Sequence, residues 1–116
     1  MKKKILIIED DPAVADYLIT LFEDNDYATV HATSAQDGLT LAQQEQPDLI
    51  TLDLELPDEW GPRFYRKLSA DKALKNTPVI VISGLSGNKY AVSKAVASLT
   101  KPFDREELLK IVREHI

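Results

Sequence analysis

The sequence predicts an α/β protein built on a doubly wound parallel sheet. Three observations carry that prediction. Short apolar runs suited to burial on both faces recur at residues 5–8, 49–52 and 79–82. Between the runs lie segments whose apolar residues repeat at helical spacing. Acidic residues then stand where two of the runs end, Glu9-Asp10-Asp11 after one and Asp53 after the other. Strands and helices alternate five times along the 116 residues, which calls for a parallel sheet with helices on both faces.

The first strand covers residues 4–9. Asp11 can cap the helix that follows, and Pro12 suits its first position, where no donor is needed. Val14, Leu18, Leu21 and Phe22 continue that helix to about Asn25. Residues 27–32 alternate enough for a second strand, near a sheet edge. Ser34 opens a second helix, with Asp37 three residues on in a capping-box arrangement. Ala35, Leu39 and Ala42 form its buried stripe and Pro47 ends it. The third strand, 49–52, leads to Asp53, after which Pro57 and Gly61 mark a loop. Pro62 begins a third helix with Phe64 and Leu68 inward. The fourth strand, 79–82, is announced by Pro78 and closed by Ser83-Gly84.

Residues 88–97 form a shortened fourth helix with Val92, Ala95 and Val96 inward, and 98–100 a brief fifth strand stopped by Lys101-Pro102. Asp104 caps the fifth helix, helped by Glu107, with Leu109, Val112 and Ile116 on the buried side. Right-handed crossovers send the chain one way from strand 1 and the other way from strand 3. If the sheet is flavodoxin-like, its order is 2-1-3-4-5 and the switch point falls between strands 1 and 3. With no internal repeat, low-complexity segment or linker, residues 1–116 read as one domain.

Composition narrows the function. The net charge is −5 and Lys2-Lys3-Lys4 is the one basic block, too little for nucleic-acid binding by this domain. The absence of cysteine removes disulfides and thiolate chemistry. The lysines and the apolar run after them faintly imitate a signal peptide, but the run is too short and Glu9 cuts it off. No stretch is apolar enough to span a membrane, so a soluble, cytoplasmic protein is expected.

The predicted topology gathers Glu9, Asp10 and Asp53 at one crevice, at the carboxyl ends of strands 1 and 3. Three neighbouring carboxylates repel, and without a cation at least one is driven toward its protonated form. Mg²⁺ suits such a site best, because it takes one or two carboxylates, keeps several waters and shares a phosphate with its protein. A transition metal does not, since His31 and His115 belong to other elements. Asp11 is explained by capping. A solvated strand end would explain Asp53 alone, but not two acidic groups at neighbouring strand ends. At the ends of strands 4 and 5, Ser83 and Lys101 offer the hydroxyl and the fixed positive charge that a phosphoryl group needs. The Lys101–Pro102 bond can be cis in a tight strand-to-helix turn, which would aim the lysine inward.

Four blocks now stand in order: Ile7-Ile8-Glu9-Asp10-Asp11-Pro12, Leu52-Asp53-Leu54-Glu55-Leu56-Pro57 with Gly61 beyond, Val81-Ile82-Ser83-Gly84, and Thr100-Lys101-Pro102-Phe103. Together they resemble the signature blocks of response-regulator receiver domains, over the whole chain. The resemblance implies phosphoryl transfer from a phosphohistidine, on a sensor histidine kinase or a histidine phosphotransfer protein, to Asp53. It implies direct Mg²⁺ ligation by Asp10 and Asp53, a water-mediated part for Glu9, and a ligand from the Glu55 backbone carbonyl. Lys101 would pair with the phosphoryl oxygens, and Ser83 would hydrogen-bond one of them as the switch. On this reading no separate substrate is turned over.

Two departures fall on the face that receivers use for output. Ser98 occupies the position where the family has an inward-swinging aromatic. The connection from Ser83 to Lys101 is shorter than the family's by about one helical turn, and it lacks the usual Gly-Ala-acid step. A monomer or weak dimer is therefore expected. A degenerate receiver acting only as a binding module is the alternative, though this chain keeps every acid and the lysine. Asp53-Leu54-Glu55 loosely matches the haloacid-dehalogenase-like phosphatases, but it follows the third strand rather than the first, and its second acid is Glu. A flavin carrier of flavodoxin type would need a hydroxyl- and glycine-rich phosphate loop where Glu9-Asp10-Asp11 stands.

Overall fold

The computed structural model describes residues 2–84 and 95–116. Nine elements follow in chain order among these residues: β1 (Lys4–Ile8), α1 (Pro12–Glu23), β2 (Ala28–Ala32), α2 (Ala35–Glu45), β3 (Leu49–Leu52), α3 (Gly61–Ala70), β4 (Val79–Ser83), β5 (Ala97–Thr100) and α4 (Arg105–His115). The five strands form one parallel sheet in the order β2-β1-β3-β4-β5, the flavodoxin-like order. Among the described residues there are four helices rather than five.

Alternation along the strands divides the core in two. Leu6, Ile8, Ile50, Leu52, Val79 and Val81 face α2 and α3, where Ala35, Ala42, Phe64 and Leu68 meet them. Ile5, Ile7, Leu49, Ile80 and Ile82 face the other way, against Leu18 and Phe22 of α1 and Leu108, Leu109 and Val112 of α4. A strand that feeds both layers must be apolar at every position, which is why the runs read as continuous. Thr51 is an exception in mid-strand. It lies between Ile7 and Ile80 in the ladder, is 2 % exposed, and its hydroxyl has no hydrogen-bond partner among the described residues. A buried unpaired hydroxyl costs free energy that a methyl would not. Thr51→Val should therefore raise stability by about 1 kcal/mol in denaturant melts; an unchanged or lowered midpoint would show that the hydroxyl is satisfied in solution.

The helix starts follow from local chemistry. The Asp11 carboxylate accepts from the Ala13 N–H at 2.9 Å, and Pro12 stands in the first turn of α1. Ser34 Oγ accepts from the Asp37 N–H at 3.2 Å, and Asp104 Oδ1 accepts from Glu106 and Glu107 at 2.8 and 3.4 Å. α2 ends with Gln46 in the left-handed region at φ 48°, just before Pro47.

Some expectations need correction. Most of the fourth helix expected at 88–97, including Val92, lies outside the described residues. Its last part is not helical: the Val96 N–H donates to the Val79 carbonyl at 2.9 Å and β5 begins at Ala97. Ladder bonds along β4 outcompete a helical turn there, and Val96, expected inward, is 39 % exposed. On α2 the buried stripe runs through Gly38, with Leu39 only half-buried. A Cβ at Gly38 would come within 2.8 Å of the Ile8 side chain, so the missing side chain lets α2 lie close on β1. Ala15 and Leu108 are buried where Val14 and Ile116 are half-buried.

Candidate functional site

The site lies one step beyond the strands, still held by their ladders. The Glu9 N–H donates to the Ala32 carbonyl at 3.0 Å, the Asp53 N–H to the Ile8 carbonyl at 3.0 Å, and the Lys101 N–H to the Ser83 carbonyl at 2.8 Å. Three side chains from distant parts of the chain are thereby rooted on a rigid frame at the carboxyl edge of the sheet. The Lys101–Pro102 bond is cis.

Glu9, Asp10, Asp11, Asp53, Glu55 and Lys101 line a cavity of about 260 Å³. Glu9 and Asp53 are only 2 % and 5 % exposed, whereas Asp10 faces solvent. Lys101 Nζ lies 2.7 Å from Glu9 Oε1 and 3.6 Å from Asp53 Oδ2, so its nearer partner is Glu9. Glu9 Oε2 accepts from the Asp11 N–H at 3.2 Å, and Asp53 Oδ1 accepts from the Glu55 N–H at 3.1 Å. Ser83 is fully buried at the end of β4, and Ser98 is half-buried opposite Val81; neither lines the cavity.

Electrostatics follow from this crowding. Burial pushes the Glu9 carboxyl up to about 7, with Asp53 adding to the rise and Lys101 opposing it. Burial also works against the Lys101 charge, but its hydrogen bond to Glu9 and the nearby carboxylates outweigh that and raise its pKa. Glu9, Asp10 and Asp53 can each point one oxygen to within 4.8 Å of the others. An all-carboxylate donor set of that size fits a hard divalent cation and offers nothing to a soft one.

A cation entering this set must compete with a proton on Glu9. Its apparent affinity should then tighten as pH rises, approaching tenfold per unit below about 7 and levelling above it. The sign for folding is opposite. A carboxyl whose folded pKa lies above its ordinary value of 4.5 makes the metal-free domain lose stability as pH rises from there through about 7. Mg²⁺ titrations of the parent and Glu9→Gln by Trp60 emission, from pH 5.5 to 8.5, would check this. The same slope in both proteins would remove Glu9 from the account.

A family model described as the response regulator receiver domain matches residues 5–113. The chain belongs to this family. Among similar proteins, Protein Rrf1 of Nitratidesulfovibrio vulgaris strain Hildenborough is 38 % identical over 112 residues, covering 97 % of this chain and 81 % of that one. The DNA-binding dual master transcriptional regulator RpaA of Synechocystis sp. strain PCC 6803 is 40 % identical over 114 residues. That match takes in 95 % of this chain but only 47 % of RpaA, so the receiver spans about half of that relative. The solved receiver domain from Methylobacillus flagellatus superposes with a TM-score of 0.90 at 26 % identity, over 100 % of both chains. Receiver membership places the chain in two-component signalling.

Three contacts at the site had no signal in the sequence. Asp11, read only as a cap, also supplies the amide that holds Glu9. The His31 ring nitrogen Nε2 lies 2.8 Å from the Glu9 carbonyl oxygen. Asp58, five residues past Asp53, binds backbone amides of α2. Each depends on which strands and loops become neighbours, and nothing local announces it.

Proposed function

We propose that this receiver accepts a phosphoryl group on Asp53 from the phosphohistidine of a sensor histidine kinase or phosphotransfer protein, and signals the change to a partner or fused output domain. The observation that supports this best is the pairing of one buried carboxylate, Asp53, with the Lys101 ammonium 3.6 Å away, inside a cavity walled by further acids.

Asp53 Oδ2 is the nucleophile: a P–O bond forms there as the donor's P–N bond breaks. The Glu55 N–H fixes Oδ1 and so orients the attacking oxygen. Lys101 shifts from Glu9 toward the phosphoryl oxygens, whose charge it can meet. Ser83 hydrogen-bonds a phosphoryl oxygen and carries the change into β4. Mg²⁺, held by Asp10, Asp53 and the Glu55 carbonyl with Glu9 acting through water, would supply positive charge against the equatorial oxygens. Beside Lys101, an apolar cleft of about 520 Å³ lined by Ala13, Val14, Tyr17, Pro102 and Phe103 supports docking of the donor at this rim. With Ser98 in place of an aromatic, coupling from Ser83 to β5 is weak and the domain stays monomeric or nearly so. No observation favours the binding-module alternative.

A small acyl phosphate with Mg²⁺ tests the proposal. Mass spectrometry should find one added phosphoryl group, labile to acid and base. A chain that takes up none from acyl or amido phosphates, while binding Mg²⁺, would be the degenerate receiver instead.

A further inference from the structure

The loop between β3 and α3 carries a carboxylate with no part in the chemistry so far. Asp58 Oδ1 accepts from the Ala35 N–H at 2.8 Å and Oδ2 from the Gln36 N–H at 3.0 Å. These are the first two amides of α2. The third, Asp37, is bound by Ser34 Oγ at 3.2 Å, and the Gly38 N–H donates to the Ser34 carbonyl at 2.9 Å. The free donors of α2 are thus divided between its own N-cap and a residue from another loop. The two bonds hold the Asp58 carboxyl below its ordinary value of 3.8 despite its exposure.

The rest of the loop is closed on itself. Glu55 and Trp60 form an antiparallel bridge, and the Gly61 N–H donates to the Leu54 carbonyl at 3.2 Å. A Cβ at Gly61 would meet the Leu54 backbone at 2.7 Å, so loop and helix start are pressed together there. Glu59 pairs with Lys67 of α3 at 2.7 Å. The loop is therefore braced within itself and tied on one side to α3 by Glu59 and on the other to α2 by Asp58. Its inner end presents the Glu55 amide to Asp53 Oδ1. α2 in turn lies on Ile8, the residue before Glu9.

From this geometry we infer that Asp58 is a positioning residue for the phosphoacceptor site: by clamping the loop to the first amides of α2, it fixes Glu55 against Asp53. The inference rests on the phosphoacceptor reading for its second readout only. Breaking the clamp should weaken Mg²⁺ binding and slow phosphoryl uptake together, because Glu55 orients Asp53 through its amide and would offer its carbonyl to the cation.

The clamp can be broken from either end. Asp58→Ala removes the acceptor. Ala35→Pro removes a donor and leaves every charge in place; proline suits a first helical position, and Ser34 before it is already extended, at φ −144° and ψ 165°. Mg²⁺ midpoints from Trp60 emission and labelling rates with acyl phosphate would be measured on the parent, both single variants and the double. The expected result is a three- to tenfold weaker midpoint and a slower rate in both singles, with the double no worse than either and Asp58→Asn in between. A lower melting temperature with an unchanged Mg²⁺ midpoint in Asp58→Ala would make Asp58 an ordinary helix cap and overturn the inference. So would a defect in Asp58→Ala that Ala35→Pro does not share, since the loss would then be one of charge. If the parent binds Mg²⁺ but takes up no phosphoryl group, the reading of Asp53 falls, and the midpoints alone still decide the role of Asp58.

Discussion

Asp53→Asn should take up no phosphoryl group from any donor and should fold more stably than the parent. Both effects come from one oxygen. A neutral amide at that position is too weak a nucleophile to form the new P–O bond to phosphorus as the donor's bond breaks, so transfer loses its nucleophile. No neighbour replaces it: Glu9 holds Lys101 at 2.7 Å and the Asp11 amide at 3.2 Å, which fixes both of its oxygens. Asp10 is exposed and, among the described residues, has no ammonium beside it as Asp53 has Lys101 at 3.6 Å. The stability gain follows because Asp53 is one cause of the raised Glu9 pKa, and removing its charge relieves a repulsion between two buried groups. At neutral pH without Mg²⁺ the gain should be about 1 kcal/mol, and it should shrink when Mg²⁺ stabilises the parent. Mass spectrometry after acyl-phosphate treatment and denaturant melts with and without Mg²⁺ provide the readouts. Labelling equal to the parent's would move the phosphoacceptor elsewhere.

The residues that form this site were legible because each sits at a strand terminus, and strand termini can be read from short apolar runs. Once the runs at 5–8, 49–52 and 79–82 are strands, the parallel order places Glu9, Asp53 and Ser83 at one edge without further information. Lys101 follows from the turn signal of Pro102. Legibility ends where a choice between partners begins. Sequence puts Lys101 near an acid but cannot say that Glu9 is at 2.7 Å and Asp53 at 3.6 Å, because that depends on side-chain reach across three strands. Asp58 looks like any loop acid after a proline until α2 is seen beside it, 23 residues earlier in the chain. At Ala95 and Val96, helical propensity is a weak preference that one ladder bond to Val79 overrides. Gly38 would be scored against burial by any hydrophobic pattern, yet its missing Cβ is what admits Ile8.

The preference of Lys101 for Glu9 sets up an unusual expectation for Lys101→Ala. Loss of a lysine from a phosphoryl site is normally read as loss of function alone. Here the ammonium occupies the carboxylates a cation would use, with Nζ 2.7 Å from Glu9 Oε1. Cation and lysine therefore compete for Glu9, and removing the lysine should tighten Mg²⁺ binding by on the order of tenfold at a pH alkaline enough to ionise Glu9, since a unit charge a few ångströms away is removed. The metal-free variant should suffer in the other direction. Glu9 is 2 % exposed and loses the hydrogen bond that lowers its pKa, so its carboxyl should rise further above about 7. Its ionised form then destabilises the fold by about 2 kcal/mol at alkaline pH, short of a fully buried broken pair because Lys101 is partly solvated. Mg²⁺ should consequently raise the melting temperature of Lys101→Ala more than that of the parent. Phosphoryl transfer should slow, because the charge that meets the phosphoryl oxygens is gone. Tighter Mg²⁺ with slower transfer is a combination that simple misfolding cannot produce. If instead Mg²⁺ binds the variant no better than the parent even where Glu9 is fully ionised, Lys101 and the cation do not compete, and the ammonium must be able to leave Glu9 without cost before the cation arrives.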